Sequence, residues 1–266
     1  MTIGLKLWST NVGALAEAAR RLFAERVYDY LELFVVPGSL DALAAWQRLR
    51  EEDGVPFVIH NAHSAQGFNL ARREAEVRNR EIFAETRRFA DALGATRIIF
   101  HGGTNGTVEE AVRQLRALGE PRALVENKPL LPLPNSAGAT VCRGATVAEL
   151  ARLVGAAGGG FCLDVGHAVC AANAQGLEPY AYVLELAARF RPAMFHLSDV
   201  RDMSSPYDAH PHLGTGALDI PRLCRALFPS DAAVSVETER GPSPGLEDFR
   251  RDADVLRRCA ERSNVV

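Results

Sequence analysis

Short apolar runs alternate along this chain with longer stretches in which apolar residues recur every three or four positions. The runs at 3–7, 28–34, 56–59, 97–100, 122–125, 161–163, 193–195 and 233–236 are rich in β-branched and aromatic residues and predict strands. Between them, the stretches 12–26, 40–52, 72–93, 108–118, 179–190, 220–227 and 245–261 carry helical spacing. Thr146-Val-Ala-Glu149 reads as a capping box opening one more helix. Eight strand–helix pairs predict a (β/α)8 TIM barrel over residues 1–266 as a single domain. An open doubly wound sheet is the alternative, but no Gly-x-Gly-x-x-Gly follows the first strand. One connection, 129–143, is long and proline-rich, as functional loops often are.

Composition narrows the setting. A net charge of -3 gives no global basic field that would draw in nucleic acid or a membrane surface. No apolar run is long enough to span a bilayer, and the first residues lack the pattern of a signal peptide. The five cysteines are scattered, without a Cys-x-x-Cys pair, which predicts a reduced, cytoplasmic protein.

The polar residues just past the predicted strands carry the chemistry. His60 and His63 follow the third strand, His101 the fourth and Glu126 the fifth. Asp164 and His167 follow the sixth. His196, Asp199, Asp208, His210 and His212 follow the seventh, and Glu237 the eighth. All seven histidines therefore fall on the barrel face where active sites form. Asp208 and His210 are two apart, so both can face the same way, and Gly214 and Gly216 allow a tight turn after them. Nitrogen and oxygen donors without cysteine suit zinc, manganese or iron. The supply exceeds one ion's needs, so two or three metals are expected.

These motifs resemble those of the endonuclease IV family of abasic-site endonucleases, within the xylose isomerase-like TIM barrels. The segments that carry the resemblance are His63-Ser-Ala-Gln-Gly-Phe-Asn-Leu70, Phe100-His-Gly-Gly103, Val125-Glu-Asn127, Leu163-Asp-Val-Gly-His-Ala168, Phe195-His-Leu-Ser-Asp199, Asp208-Ala-His-Pro-His-Leu-Gly-Thr-Gly216 and Val236-Glu-Thr238. The resemblance implies three zinc ions. Glu126, Asp164, His196 and Glu237 would hold the first. His63 and His101 would hold the second, with Glu126 bridging, and His167, Asp208 and His210 the third. It also implies attack of activated water on phosphorus, with Glu126 and Glu237 in catalytic roles. His60, Asp199 and His212 match no ligand of the family pattern.

The chain departs from the family where DNA would be gripped. Gln66 stands at the position of a tyrosine, and Val35-Val-Pro-Gly-Ser39 offers no arginine or aromatic wedge. Basic residues near the rim are few, and Lys128 and Arg240 are the candidate substrate-binding groups. The expected function is therefore phosphodiester hydrolysis, on abasic DNA or a smaller diester. A divalent-metal sugar isomerase or epimerase, and an iron-dependent peptide-modifying oxygenase on the same barrel, are the alternatives.

Overall fold

A computed structural model describes residues 1–136, 138–240 and 244–263. Its strands are β1 (Thr2–Trp8), β2 (Tyr30–Phe34), β3 (Phe57–His60), β4 (Ile98–His101), β5 (Ala123–Glu126), β6 (Phe161–Asp164), β7 (Met194–Leu197) and β8 (Ala233–Val236). They pair in parallel in chain order, and β1 closes the barrel on β8. Around them lie α1 (Ala14–Ala24), α2 (Leu43–Asp53), α3 (Glu76–Ala92), α4 (Val108–Leu118), α5 (Val147–Ala156), α6 (Val165–Gln175), α7 (Pro179–Phe190), α8 (Ile220–Leu227) and α9 (Glu247–Ser263). The (β/α)8 barrel read from the alternation is the fold found.

Strand side chains alternate between two faces, and this period of two sets both the core and the site. Outward residues such as Leu5, Leu33, Ile59, Phe100, Val125, Leu163, Leu197 and Val236 pack into the apolar layer under the helices. Inward, a separate layer of Tyr30, Val58, Ile99, Leu124, Cys162 and Met194, with Ala233 against it, fills the barrel. Gly4 completes this layer, because a Cβ there would overlap the Tyr30 ring. Two residues further along each strand the inward positions turn polar.

One helix was not legible in the sequence. The segment after β6 forms α6 before α7, whereas the spacing predicts only 179–190 as a helix there. Every residue of α6 from Val165 to Ala172 is buried, so the segment shows no polar face and no amphipathic stripe. Asp164 caps it, its carboxylate accepting from the His167 amide at 2.6 Å. The capping box at Thr146 is half as expected. Thr146 Oγ1 accepts from the Glu149 amide at 3.2 Å, while the Glu149 carboxylate takes the Gly144 amide at 2.8 Å and Arg143 Nη1 at 3.0 Å.

Asn105, with φ of 55°, ties down the base of the 129–143 loop. Its side chain accepts from the Thr140 amide at 2.8 Å and donates to Gly138 O at 2.8 Å. Arg143 reaches back to Asn105 O at 2.8 Å. Residue 137 of this loop lies outside the described residues.

Candidate metal centre

The polar tier above the apolar barrel filling contains Lys6 from β1, Glu32 from β2, His60 from β3 and His101 from β4. Glu126, Asp164 and His196 follow from β5, β6 and β7, with Ser235 and Glu237 from β8 and just beyond. Each stands two positions after a member of the apolar layer or, for Glu237, after Ser235.

Four groups of donors form here among the described residues, of which Glu32, His60 and His196 make the last. In the first, donor atoms of Glu126, Asp164, His196 and Glu237 lie within 4.8 Å of one another. His196 Nδ1 is 2.9 Å from Glu237 Oε2 and 3.4 Å from Glu126 Oε2. In the second, His60 Nε2 and His101 Nε2 converge on Glu126 Oε2 at 3.0 and 2.9 Å. In the third, His167 Nε2 and His210 Nε2 approach Asp208 Oδ2 at 3.1 and 3.0 Å. Glu126 links them all, since its other oxygen lies 2.9 Å from His167 Nδ1.

The far nitrogens of the imidazoles are held from behind. His60 Nδ1 donates to Asn61 O at 2.8 Å, and His167 Nδ1 to Asn127 O at 3.0 Å, which leaves Nε2 of each facing its group. His196 is held the other way round. Its Nε2 meets Glu32 Oε2 at 2.9 Å, so Nδ1 faces the first group. Glu32 is itself fixed by Ser235 Oγ at 2.5 Å and Lys6 Nζ at 3.1 Å. The sequence pattern missed Lys6, Glu32 and the grouping of His60. Counting two residues on from Gly4, Tyr30 and Val58 finds all three.

Electrostatics divide these groups, and burial raises the Asp164 carboxyl above its usual range. Burial opposes ionisation of Glu126, yet the imidazoles of His101 and His196 hold it well below the usual carboxylate range. Burial likewise opposes the charge on Lys6, but Glu237 and Glu32 push its affinity for the proton up. Burial drives His101 well below its ordinary value. His167 goes the other way, because Asp164 and Asp208 outweigh its burial.

Burial without aligned hydrogen bonds is the stronger sign, even though His196 Nδ1 and Glu237 Oε2 face each other at 2.9 Å. Glu126 Oε1, Asp164 Oδ2, His196 Nδ1 and Glu237 Oε2 are all shielded from water, and none has a well-aligned hydrogen bond. Leaving such an atom unsatisfied costs about 1–3 kcal/mol, more for a charged one. Four atoms converging in one group are therefore a conspicuous expense unless a cation completes them. The donor set is imidazole nitrogen and carboxylate oxygen, which fits zinc, manganese or iron.

The remaining expected residues fall as follows. His63 joins none of the groups. Its ring stacks on His101 at 5.3 Å, and its Nδ1 accepts from the Ala65 amide. His212 is turned away, bonded to Asp252 at 2.9 Å. Asp199 is a buried anchor that accepts from the amides of Val200, Gly214, Gly216 and Leu218. Lys128 Nζ sits 3.0 Å from His167 Nε2, on the third group. Arg240 is exposed, its guanidinium carbon 5.6 Å from the Phe249 ring centroid, and it donates to Lys6 O at 2.5 Å. A cavity of about 890 Å³ opens above the groups, lined among others by Trp8, Phe34, Lys128, Pro132 and Leu133.

A closed parallel barrel whose strand ends present a ring of imidazoles and carboxylates is the architecture of the xylose isomerase-like TIM barrels, and the family model of that description matches residues 21–259. More particularly, the chain belongs to the endonuclease IV family. It is 32% identical over 187 residues to the probable endonuclease 4 of Mycobacterium ulcerans, covering 66% of this chain and 71% of that one. It is 30% identical over 263 residues to endonuclease 4 of Thermus thermophilus, covering 94% and 91%. The crystal structure of endonuclease IV from another strain of Thermus thermophilus superposes with a TM-score of 0.73 at 27% identity, covering 98% of this chain and all of that one.

Proposed function

We propose that this protein is a metal-dependent phosphodiester hydrolase with a multinuclear centre. The observation that carries this reading is the set of four buried donor atoms on Glu126, Asp164, His196 and Glu237, none with a well-aligned hydrogen bond, alongside three further donor groups among the described residues. Glu126, Asp164, His196 and Glu237 would hold one ion, His60, His101 and Glu126 a second, and His167, Asp208 and His210 a third. When bound, such ions lower the pKa of water and neutralise charge on the attacking and leaving oxygens of a phosphoryl displacement.

The side chains have separable roles. Glu237, paired with Lys6 Nζ at 2.8 Å, is held with its other oxygen toward His196, where it can orient the attacking water. Lys6 offsets part of the negative charge that Glu32 and Glu237 bring together. Glu32 fixes the His196 ring. Lys128, on the cavity wall beside His167, is the cation placed to meet a phosphate oxygen. A sugar isomerase or epimerase would need the four-donor group alone and leave the His167–Asp208–His210 group without a task.

The test is hydrolysis of bis(4-nitrophenyl) phosphate and of an abasic duplex oligonucleotide by zinc-loaded protein. Cleavage of either that stops with a chelator and returns with zinc is expected. Failure on both by fully loaded protein overturns the reading. Activity requiring iron and dioxygen would favour the oxygenase instead.

A further inference from the structure

We infer that the substrate is a nucleotide-sized phosphodiester with a planar aromatic group, clamped between two walls of the cavity, and not a nucleic-acid duplex. This deepens the hydrolase reading and rests on it. Trp8 ends β1 and Phe34 ends β2, while Pro129, Pro132 and Leu133 belong to the loop after β5. In a closed eight-stranded barrel in chain order, β1 and β5 stand opposite one another. Both sets line the same cavity, so two apolar walls face each other across the donor groups.

The first wall is aromatic from the rim to the floor. Trp8 and Phe34 lie 5.8 Å apart between ring centroids, Phe34 and His63 5.4 Å, and His63 and His101 5.3 Å. Trp8 leaves 52% of its surface open and Leu133 44%, so both present apolar surface that a flat ligand can cover. A planar base stacks on such surface whatever its sequence. The His63 ring lies between this wall and His101. The cavity, about 890 Å³, is within the size of small-molecule sites, roughly 300–1,000 Å³.

The cations in and beside the cavity tell against a duplex entering it. A strand of nucleic acid is tracked by a stripe of basic side chains. Here Lys6 is engaged by Glu32 and Glu237, Arg143 by Glu149 and backbone carbonyls, and Arg240 by Lys6 O. Lys128 alone of the cavity-lining cations among the described residues has neither a carboxylate nor a carbonyl on its ammonium. One cation beside the donor groups suits one phosphate. In the reaction one water is consumed: its oxygen bonds to phosphorus, the bond from phosphorus to the leaving oxygen breaks, and a water proton ends on that oxygen.

The experiment uses zinc-loaded protein with thymidine 5'-monophosphate 4-nitrophenyl ester, an abasic duplex, and thymidine 5'-monophosphate as a binding probe read by tryptophan fluorescence. The ester should be cleaved with kcat/KM at least tenfold above that for the duplex. Trp8→Ala should lower kcat/KM on the ester roughly tenfold through KM, Leu133→Ser should act in the same direction, and Trp8→Phe should restore most of the loss. The monophosphate should quench native fluorescence and fail to do so in Trp8→Phe, where the buried Trp46 remains. Efficient duplex incision, or a Trp8→Ala variant with unchanged KM, would overturn the clamp and leave the hydrolase reading intact. No cleavage of any diester, with quenching retained, would remove the hydrolase reading and leave the stacking wall. Neither cleavage nor quenching would remove both.

Discussion

Glu126 is the residue on which the candidate centre turns, because one of its oxygens meets two imidazoles from neighbouring strands and the other meets a third from α6. Of the two histidines near the end of β3, His60 points inward by the two-residue alternation and reaches Glu126, while His63 lies beyond the strand and stacks on His101. His60→Ala should therefore lower bound metal by one per chain and activity by roughly a hundredfold, and His63→Ala should keep the full metal count. Metal analysis of the two variants checks this, and the opposite pattern would return the ligand role to His63. Glu32 acts through His196. Glu32→Gln keeps the shape but weakens the hold on Nε2, so zinc affinity should fall by about 10–100-fold in a chelator competition while the fold persists. The eye finds His101, Glu126, Asp164, His196 and Glu237 in the sequence because each closes a recognisable apolar run. Lys6 and Glu32 sit inside their runs, where a charge reads as an interruption until the inward register is counted.

At the scale of elements, the loop after β7 shows how a buried acid can serve a site without touching it. Asp199 gathers the amides of Val200, Gly214, Gly216 and Leu218 and so fixes the segment that carries Asp208 and His210. Gly214 takes a φ of 80°, open to glycine at little cost. Gly216 leaves room that a Cβ would take from Val200 O and the Asp199 carboxylate. Asp199→Ala should unfasten this segment and weaken the His167–Asp208–His210 group by at least tenfold in metal affinity. The other two groups should stay loaded and the far-ultraviolet circular dichroism unchanged. Loss of all bound metal at once would show instead that Asp199 supports the barrel itself. The two glycines were readable as turn-formers. The role of Asp199 was not, since nothing in its neighbours marks which amides a carboxylate will find. α6 was hidden for a related reason: a helix buried on all sides carries no periodic stripe.

The whole molecule is a two-layer object, an apolar barrel filling capped by a charged tier, surrounded by an apolar shell under the helices. Its alternation of strands and helices was legible because each element must bury a face and each period is distinct. Stability resides mostly in the outer shell, away from the chemistry. Trp46 on α2 is fully buried there, its Nε1 donating to Ser9 O at 2.8 Å. Trp46→Ala should cost about 3–5 kcal/mol, read as a lower denaturation midpoint, while the metal bound per folded chain stays the same. A change in metal count at conditions where the variant is folded would mean that shell and centre are more tightly joined than the layering implies.

The convergence of buried donors around Glu126 is tested most directly by counting ions. Protein loaded with zinc, freed of excess and measured by mass spectrometry of the metal against protein concentration should hold three zinc ions per chain, and His101→Ala two. One ion per chain in the native protein, or a count that His101→Ala leaves unchanged, would contradict the account.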